Sequence, residues 1–397
     1  MLAHSPPLPL VIDYSDKDRD ITTKDEEGII LALERRDRVC RVRLQMPVPN
    51  MQKLIMAIDE EYPVLEHLIM VPSTEDKSAA LMLPETLQAP HLRHLALRGF
   101  VLRVGSRLLT TAVGIVTLCL YIEHSSAYFP PNTLLHWISF MPQLEALLVA
   151  FLFPVPNLDV ERRTMRTPIV TDVTFPNLRS FVFRGVSAYL EAVVRRITTP
   201  RLEQLGIQFY KQLTFSVPRL MQFMNTTDNI RLSSAKFEFS REKVFVRVYP
   251  REEAEKYAFL MVVRCWHLDW QVSSVAQIFD SLSQIFSTVE NLTLEHAIHS
   301  RSSEDHNEVD RTDWRKLLRS FGNVKTLHLD DGLVEGLSRC LRLGDGEHPL
   351  ELLPELQELI YLGNRDTGDA FKSFIDARRN TGRPVTRRTV SVVSLST

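Results

Sequence analysis

The residues most able to do chemistry are carboxylates near the start of the chain. Asp16, Asp18 and Asp20, with Glu27 at the twelfth position of the run, have the ligand spacing of a calcium loop, where alternate carboxylates converge on one hard cation. The sixth position, which needs glycine for a sharp turn, is Ile21, and the eighth, normally aliphatic, is Thr23. The run therefore reads as a charged loop capping a helix over Glu26 to Arg35. Histidine pairs at His91/His94, His296/His299 and His299/His306 suggest imidazole ligands, but neither H-E-x-x-H nor cysteines at ligand spacing accompany them. They read as surface histidines. Cys40, Cys119, Cys265 and Cys340 form no C-x-x-C pair and read as reduced, packed thiols. The phosphate-loop, dinucleotide and nucleophile-elbow glycine motifs are all missing, and 14 scattered glycines build no phosphate cradle. The expectation is a protein that is not an enzyme, with no catalytic residue, metal site or cofactor.

Charge points the same way. With 47 basic and 49 acidic residues the net charge is -2, so no global field favours nucleic acid or an anionic membrane. The start of the chain lacks the pattern of a secretory signal, and no apolar run reaches the length of about 18 residues that spans a bilayer. A cytoplasmic or nuclear monomer is expected, in which the sequons at Asn225 and Asn291 carry no meaning. Arg378, Arg379, Arg383, Arg387 and Arg388 could form a phosphate-binding or nuclear-import patch, but read first as a disordered basic tail over 379–397.

What would position any functional residue is a repeat. An apolar residue, two variable ones, an apolar residue, one variable and an apolar residue recur along the chain. Clear copies are YPVLEHLIM, APHLRHLALRG, MPQLEALLVAF, FPNLRSFVFRG, TPRLEQLGIQF, VENLTLE, FGNVKTLHLDD and LPELQELIYLG. Fainter ones start at Val39, Ile115, Leu232 and Cys265, and the mean interval is about 29 residues, at the long end for leucine-rich repeats. The second and third apolar positions lie two apart, on one side of a short strand, and so short a strand buries its face only by stacking on its neighbours.

Helical periodicity fills the intervals over Pro131 to Phe140, Ser273 to Phe286, Asp310 to Phe321 and Leu333 to Leu341. Strand and helix alternating at this period predict an α/β fold, a right-handed leucine-rich-repeat solenoid of about twelve repeats over 36–378. Residues 1–35 read as an N-terminal segment and capping helix. Ala235 to Tyr249 alternates apolar and polar on both sides of a Ser-Arg-Glu-Lys turn, as an inserted β-hairpin does.

In such a frame the residues two, four and six places after each first apolar position line the concave sheet. They include His94, Ala96 and Arg98; Ser180, Val182 and Arg184; Gln204, Gly206 and Gln208; His267, Asp269 and Gln271; Asn291, Thr293 and Glu295; and Thr326, His328 and Asp330. Arg98 and Arg184 against Asp269, Glu295, Asp330 and Asp331 predict a face that is basic toward one end and acidic toward the other. Such a face suits a protein partner.

The stretches MPQLEALLVAF, TPIVTDVTFPNLRSFVFRGVSAYLEAVVRRITTPRLEQL, QLTFSVPRLMQFMN, HLDWQVSSVAQIFDSLSQIFS, NEVDRTDWRKLLRSFGNVKTL and ELLPELQELIY go further. Over about Pro9 to Val385 the chain resembles the F-box and leucine-rich-repeat-like proteins expanded in mushroom-forming fungi. Members carry ahead of the repeats an F-box, a short helical module that docks the adaptor of a cullin ubiquitin ligase. Here the stretch before Val39 holds only PPLPLVIDY and one candidate helix, with no tryptophan before Trp137. The resemblance thus implies the substrate-receiving half of such a receptor, with the adaptor as partner only if an F-box lies upstream. A repeat scaffold without any ligase link is the alternative.

Overall fold

In the computed structural model, residues 8–15, 21–73, 80–153, 172–210, 212, 214–227, 230, 232–251, 255–296, 310–342, 348, 350–362 and 370–390 are described. The chain forms two compact units, the first of residues 1–185 and 192–202, the second of 186–191 and 203–397.

The first unit runs β1 (Leu10–Tyr14), α1 (Thr23–Leu33), β2 (Val39–Met46), α2 (Val48–Ile55), β3 (His67–Pro72), β4 (Leu81–Met82), β5 (His94–Arg98) and β6 (Phe100–Val101). It continues through α3 (Arg107–Thr111), β7 (Thr117–Ile122), α4 (Pro131–Ser139), β8 (Ala146–Phe151), β9 (Val173–Thr174) and β10 (Ser180–Gly185); after α5 (Ser187–Val194) comes β11 (Ile197–Thr198). Strands β1, β2, β3, β5, β7, β8 and β10 lie side by side in chain order, every neighbouring pair parallel. This is the stacking of a solenoid-like α/β fold.

Register explains why the repeat spacing produces it. Val42, Leu68, Leu95, Leu118, Leu147 and Phe181 stand in one row across the sheet, and Leu44, Met70, Leu97, Leu120, Val149 and Phe183 in the next. All are buried. Strands β3, β5, β7, β8 and β10 are entered by the same turn, in which the amide of the first apolar residue bonds the carbonyl three residues back. Leu65 bonds Tyr62, Leu92 bonds Ala89, Ile115 bonds Ala112, Leu144 bonds Met141 and Leu178 bonds Phe175. The device sets the strand start, which falls two residues later at His67, His94, Thr117, Ala146 and Ser180.

The N-terminal segment differs from the expectation of a capping helix alone, since Leu10–Tyr14 adds a parallel strand beside β2. Helix α1 starts at Thr23, before the expected Glu26, because Thr22 and Asp25 form a reciprocal capping box. Glu26 is buried, accepting from Lys53 at 3.0 Å and from Asn50. Those contacts hold its carboxyl below the usual range. Asp16, Asp18 and Asp20 lie outside the described residues, as do His299 and His306.

The second unit contains β12 (Gln204–Tyr210), α6 (Pro218–Asn225), β13 (Ser234–Phe239), β14 (Val244–Tyr249), β15 (Phe259–Arg264), α7 (Leu268–Phe286) and β16 (Asn291–His296). After these come α8 (Arg311–Arg319), β17 (Thr326–Asp330), α9 (Val334–Leu341), β18 (Glu358–Leu362), α10 (Lys372–Asn380) and β19 (Thr386–Val390). The order is β12-β15-β14-β13-β16-β17-β18-β19. Strand β14 is antiparallel to both β13 and β15, whereas the remaining pairs are parallel.

This reversal corrects the repeat frame at Cys265. The strand there is Phe259–Arg264, and Leu268 opens a 19-residue helix, so Cys265 precedes a helix and not a strand. Leu268, Val272, Val275, Phe279, Leu282 and Phe286 give that helix a buried stripe at helical spacing. At 1.5 Å per residue it is about 28 Å long, enough to run back past the three strands of the reversal. Phe279 packs 5.2 Å from Phe237, 4.5 Å from Phe286 and 5.6 Å from Phe321, and Phe286 lies 5.5 Å from Phe259.

The C-terminal segment also departs from expectation. Helix α10 runs through Asn380, and Thr386–Val390 pairs in parallel with β18, so residues 386–390 are an edge strand and not a disordered tail. Arg378, expected to be solvated, is fully buried and donates from Nη2 to the carbonyls of Pro354 and Leu356 at 2.9 and 3.0 Å. Among the described residues no helix is long and apolar enough to cross a membrane.

Candidate functional site

Because side chains alternate along each strand, the rows that do not enter the core form a second face of the sheet. In the first unit that face carries three rows. The first holds Arg41, His67, His94, Thr117, Ala146 and Ser180. In the second, Arg43 is followed by Ile69, Ala96, Cys119, Leu148 and Val182, a half-exposed apolar band. The third sets Arg98 beside Tyr121, then Ala150 and Arg184.

Of the expected residues, His94, Arg98 and Arg184 are on this face. The imidazole of His94 stacks on that of His67, 4.3 Å between centroids and 9° from parallel. Burial lowers the pKa of both rings, and Arg41 and Arg93 oppose their protonation further. Arg98 donates from Nη2 and Nε to Glu123 Oε1 at 2.7 and 2.9 Å. Gly99, with φ of +71°, turns the chain directly after it, a conformation that favours glycine. Burial pushes the Cys119 thiol and the Tyr121 phenol up, while the charges of Arg184 and Arg98 act on Tyr121 in the other direction. Arg41 and Arg43 are exposed and Arg184 half-exposed, and among the described residues none of the three makes an ion pair.

In the second unit the corresponding face holds Gln208 on β12, Glu295 on β16, and His328 and Asp330 on β17, all half-exposed. The expected acidic character is corrected. Glu295 pairs with Lys236 at 2.7 Å and Glu238 with Arg247 at 2.8 Å, so strands β13 and β14 bring a cation to each carboxylate. Asp330 accepts from the amide of Gly332 at 2.9 Å, capping a short helical turn. His267 and Asp269 are not on the sheet. His267 is the N-cap residue of α7 and Asp269 lies in its first turn; Gln271, also placed on the sheet by the repeat frame, is buried and donates to the carbonyls of Ser240 and Cys265.

Arg41, Arg43, His67, Ile69, Tyr121 and Leu148 were not among the expected site residues. The same offsets of two, four and six places, applied to Val39, Leu65, Ile115 and Leu144, reach all of them. Glu123, one residue past its strand, has no such signal.

None of the protein-family models matches the chain, and none of the curated proteins does. Among solved structures, the chain is similar to the leucine-rich repeat-containing protein LegL7 from Legionella pneumophila. The identity is 12%, the TM-score 0.31, and the match covers 92% of this chain and 98% of that one.

Proposed function

We propose that the chain is a protein-interaction scaffold, a binding module and not an enzyme, whose open sheet face receives a partner protein. The observation that carries this is the apolar band Ile69, Ala96, Cys119, Leu148 and Val182. It crosses five strands in register on the side away from the core, with arginines on either flank. Half-exposed apolar side chains in line, rimmed by polar ones, are the composition of an interface centre. The finer reading belongs to the same proposal: about twelve right-handed repeats, the 234–249 strand pair as an insertion between them, and the role of substrate-recognition region in an F-box-type ubiquitin-ligase receptor. A scaffold with no ligase link is the second form of the reading.

The test is selection of binders from a displayed library of random peptides on the immobilised full chain. Leu148→Arg with Val182→Arg should abolish capture of the selected peptides without lowering the melting temperature, whereas Met56→Arg, at the 74% exposed C-cap of α2, should leave capture intact. Capture that survives the face substitutions sinks the reading. Co-purification with the cullin-ligase adaptor separates its two forms.

A further inference from the structure

We infer that the open face of the first unit takes an extended acidic segment, with carboxylates at its two ends and apolar side chains between. This rests on the reading of that face as a protein-binding surface. Its argument is charge complementarity. The other cations on the open faces are engaged by a carboxylate or a ring: Arg98 by Glu123, Lys236 by Glu295, Arg247 by Glu238, Arg388 by Glu358, and Arg264 by the ring of Tyr210. Arg41, Arg43 and Arg184 are the exceptions among the described residues. Asp13 stands across from Arg43 in register but forms no ion pair with it. A planar guanidinium with its fork open to solvent is the group that binds carboxylates in bidentate fashion.

Spacing narrows the occupant further. Arg41 and Arg43 are on β2 and Arg184 on β10, five strand intervals away, or about 24 Å at the usual interstrand distance. About seven residues of extended chain cover that length. Between the two ends lies the apolar band, which side chains such as leucine or valine would cover. A nucleic acid fits poorly, because a phosphodiester chain bears a charge at every nucleotide and would leave the band unmatched.

The peptide selection above decides it, repeated on four forms of the full chain and with a single-stranded oligonucleotide as a second probe. On the unmodified protein the recovered peptides should be rich in Asp and Glu flanking apolar residues. Arg184→Gln should weaken them about tenfold, the scale of one lost charge-assisted hydrogen bond. Arg41→Glu with Arg43→Glu and Arg184→Glu should turn the preference to basic peptides. Peptides that are lost with Leu148→Arg, yet are neutral or basic and indifferent to the arginine variants, overturn the acidic partner and leave the binding face standing. Peptides indifferent to Leu148→Arg overturn the binding face itself and this inference with it. Tighter binding of the oligonucleotide than of any peptide also overturns it.

Discussion

The imidazoles of His67 and His94 stack 4.3 Å apart and 9° from parallel, on neighbouring parallel strands. Two rings so close cannot both carry a proton without repulsion. Burial is the larger cause that lowers both pKa values below 6.5; Arg41 and Arg93 add to it, while Glu66, and for His94 also Glu145, act against it. The unfolded chain therefore takes up protons at a higher pH than the folded one, so stability rises with pH in that window. Denaturation midpoints should fall as the pH drops below 6.5 toward the depressed folded values. His67→Gln with His94→Gln should flatten that slope, and an unchanged slope in the double variant would contradict the assignment.

Arg98 and Glu123 form a bidentate-donor contact at 2.7 and 2.9 Å, but both side chains keep about a quarter to a third of their surface in solvent. Solvent screening limits such a pair to a coupling of about 1 kcal/mol or less. A double-mutant cycle of Arg98→Ala and Glu123→Ala in urea should give that value. Since Arg98 is already matched, Arg98→Ala should also disturb acidic ligands less than Arg184→Ala does.

Phe279 is central to the aromatic core of the second unit, touching Phe237, Phe286 and Phe321 from one helix. Phe279→Ala should lower stability by about 3–5 kcal/mol, the cost of a fully buried aromatic. Trp270, 49% exposed at the start of the same helix, should be replaceable by alanine at a cost within about 0.5 kcal/mol. Thermal unfolding followed by circular dichroism separates the two.

Among the described residues strand β19 pairs with β18 only, and all five of its residues are exposed. Few buried contacts and one ladder mean a low local opening energy. Hydrogen exchange should be fastest at Thr386 to Val390 and slowest at Leu327 and Leu329 of β17, which is flanked on both sides. Equal protection of the two strands would show that something further holds the edge.

The strand frame was legible along the inner runs of parallel strands, because buried residues there recur at fixed offsets, as Leu95 and Leu97 do after Leu92 and Leu147 and Val149 after Leu144. Helix α8 was legible from its Asp310 cap, and α4 from Leu134, Leu135, Trp137 and Ile138. At Cys265 the frame failed since Phe259–Arg264 is set by an antiparallel neighbour, β14, which follows no repeat offset. The charge of the second face was misread in part for the same reason. Arg247 comes from β14, outside the offset rule, whereas Lys236 stands four places after Leu232 and is reached by it. Leu10–Tyr14 and Thr386–Val390 pair at the two ends of the chain, where the repeat pattern offers no position for them.

The reversal at β13, β14 and β15 has a consequence for the speed and order of folding. In the first unit a residue finds its partner about one repeat away, as Leu68 and Leu95 do at 27 positions. Leu205 and Phe259, by contrast, pair across 54 positions. Doubling the loop adds only about 0.6 kcal/mol of closure entropy, so the pairing is thermodynamically cheap. Kinetically it is different. Growth by nearest-neighbour addition cannot reach β12 from β13, and β15 must be made before β12 gains that partner. The second unit should therefore close its ladder in a late, concerted step, where the first can extend strand by strand from any starting point.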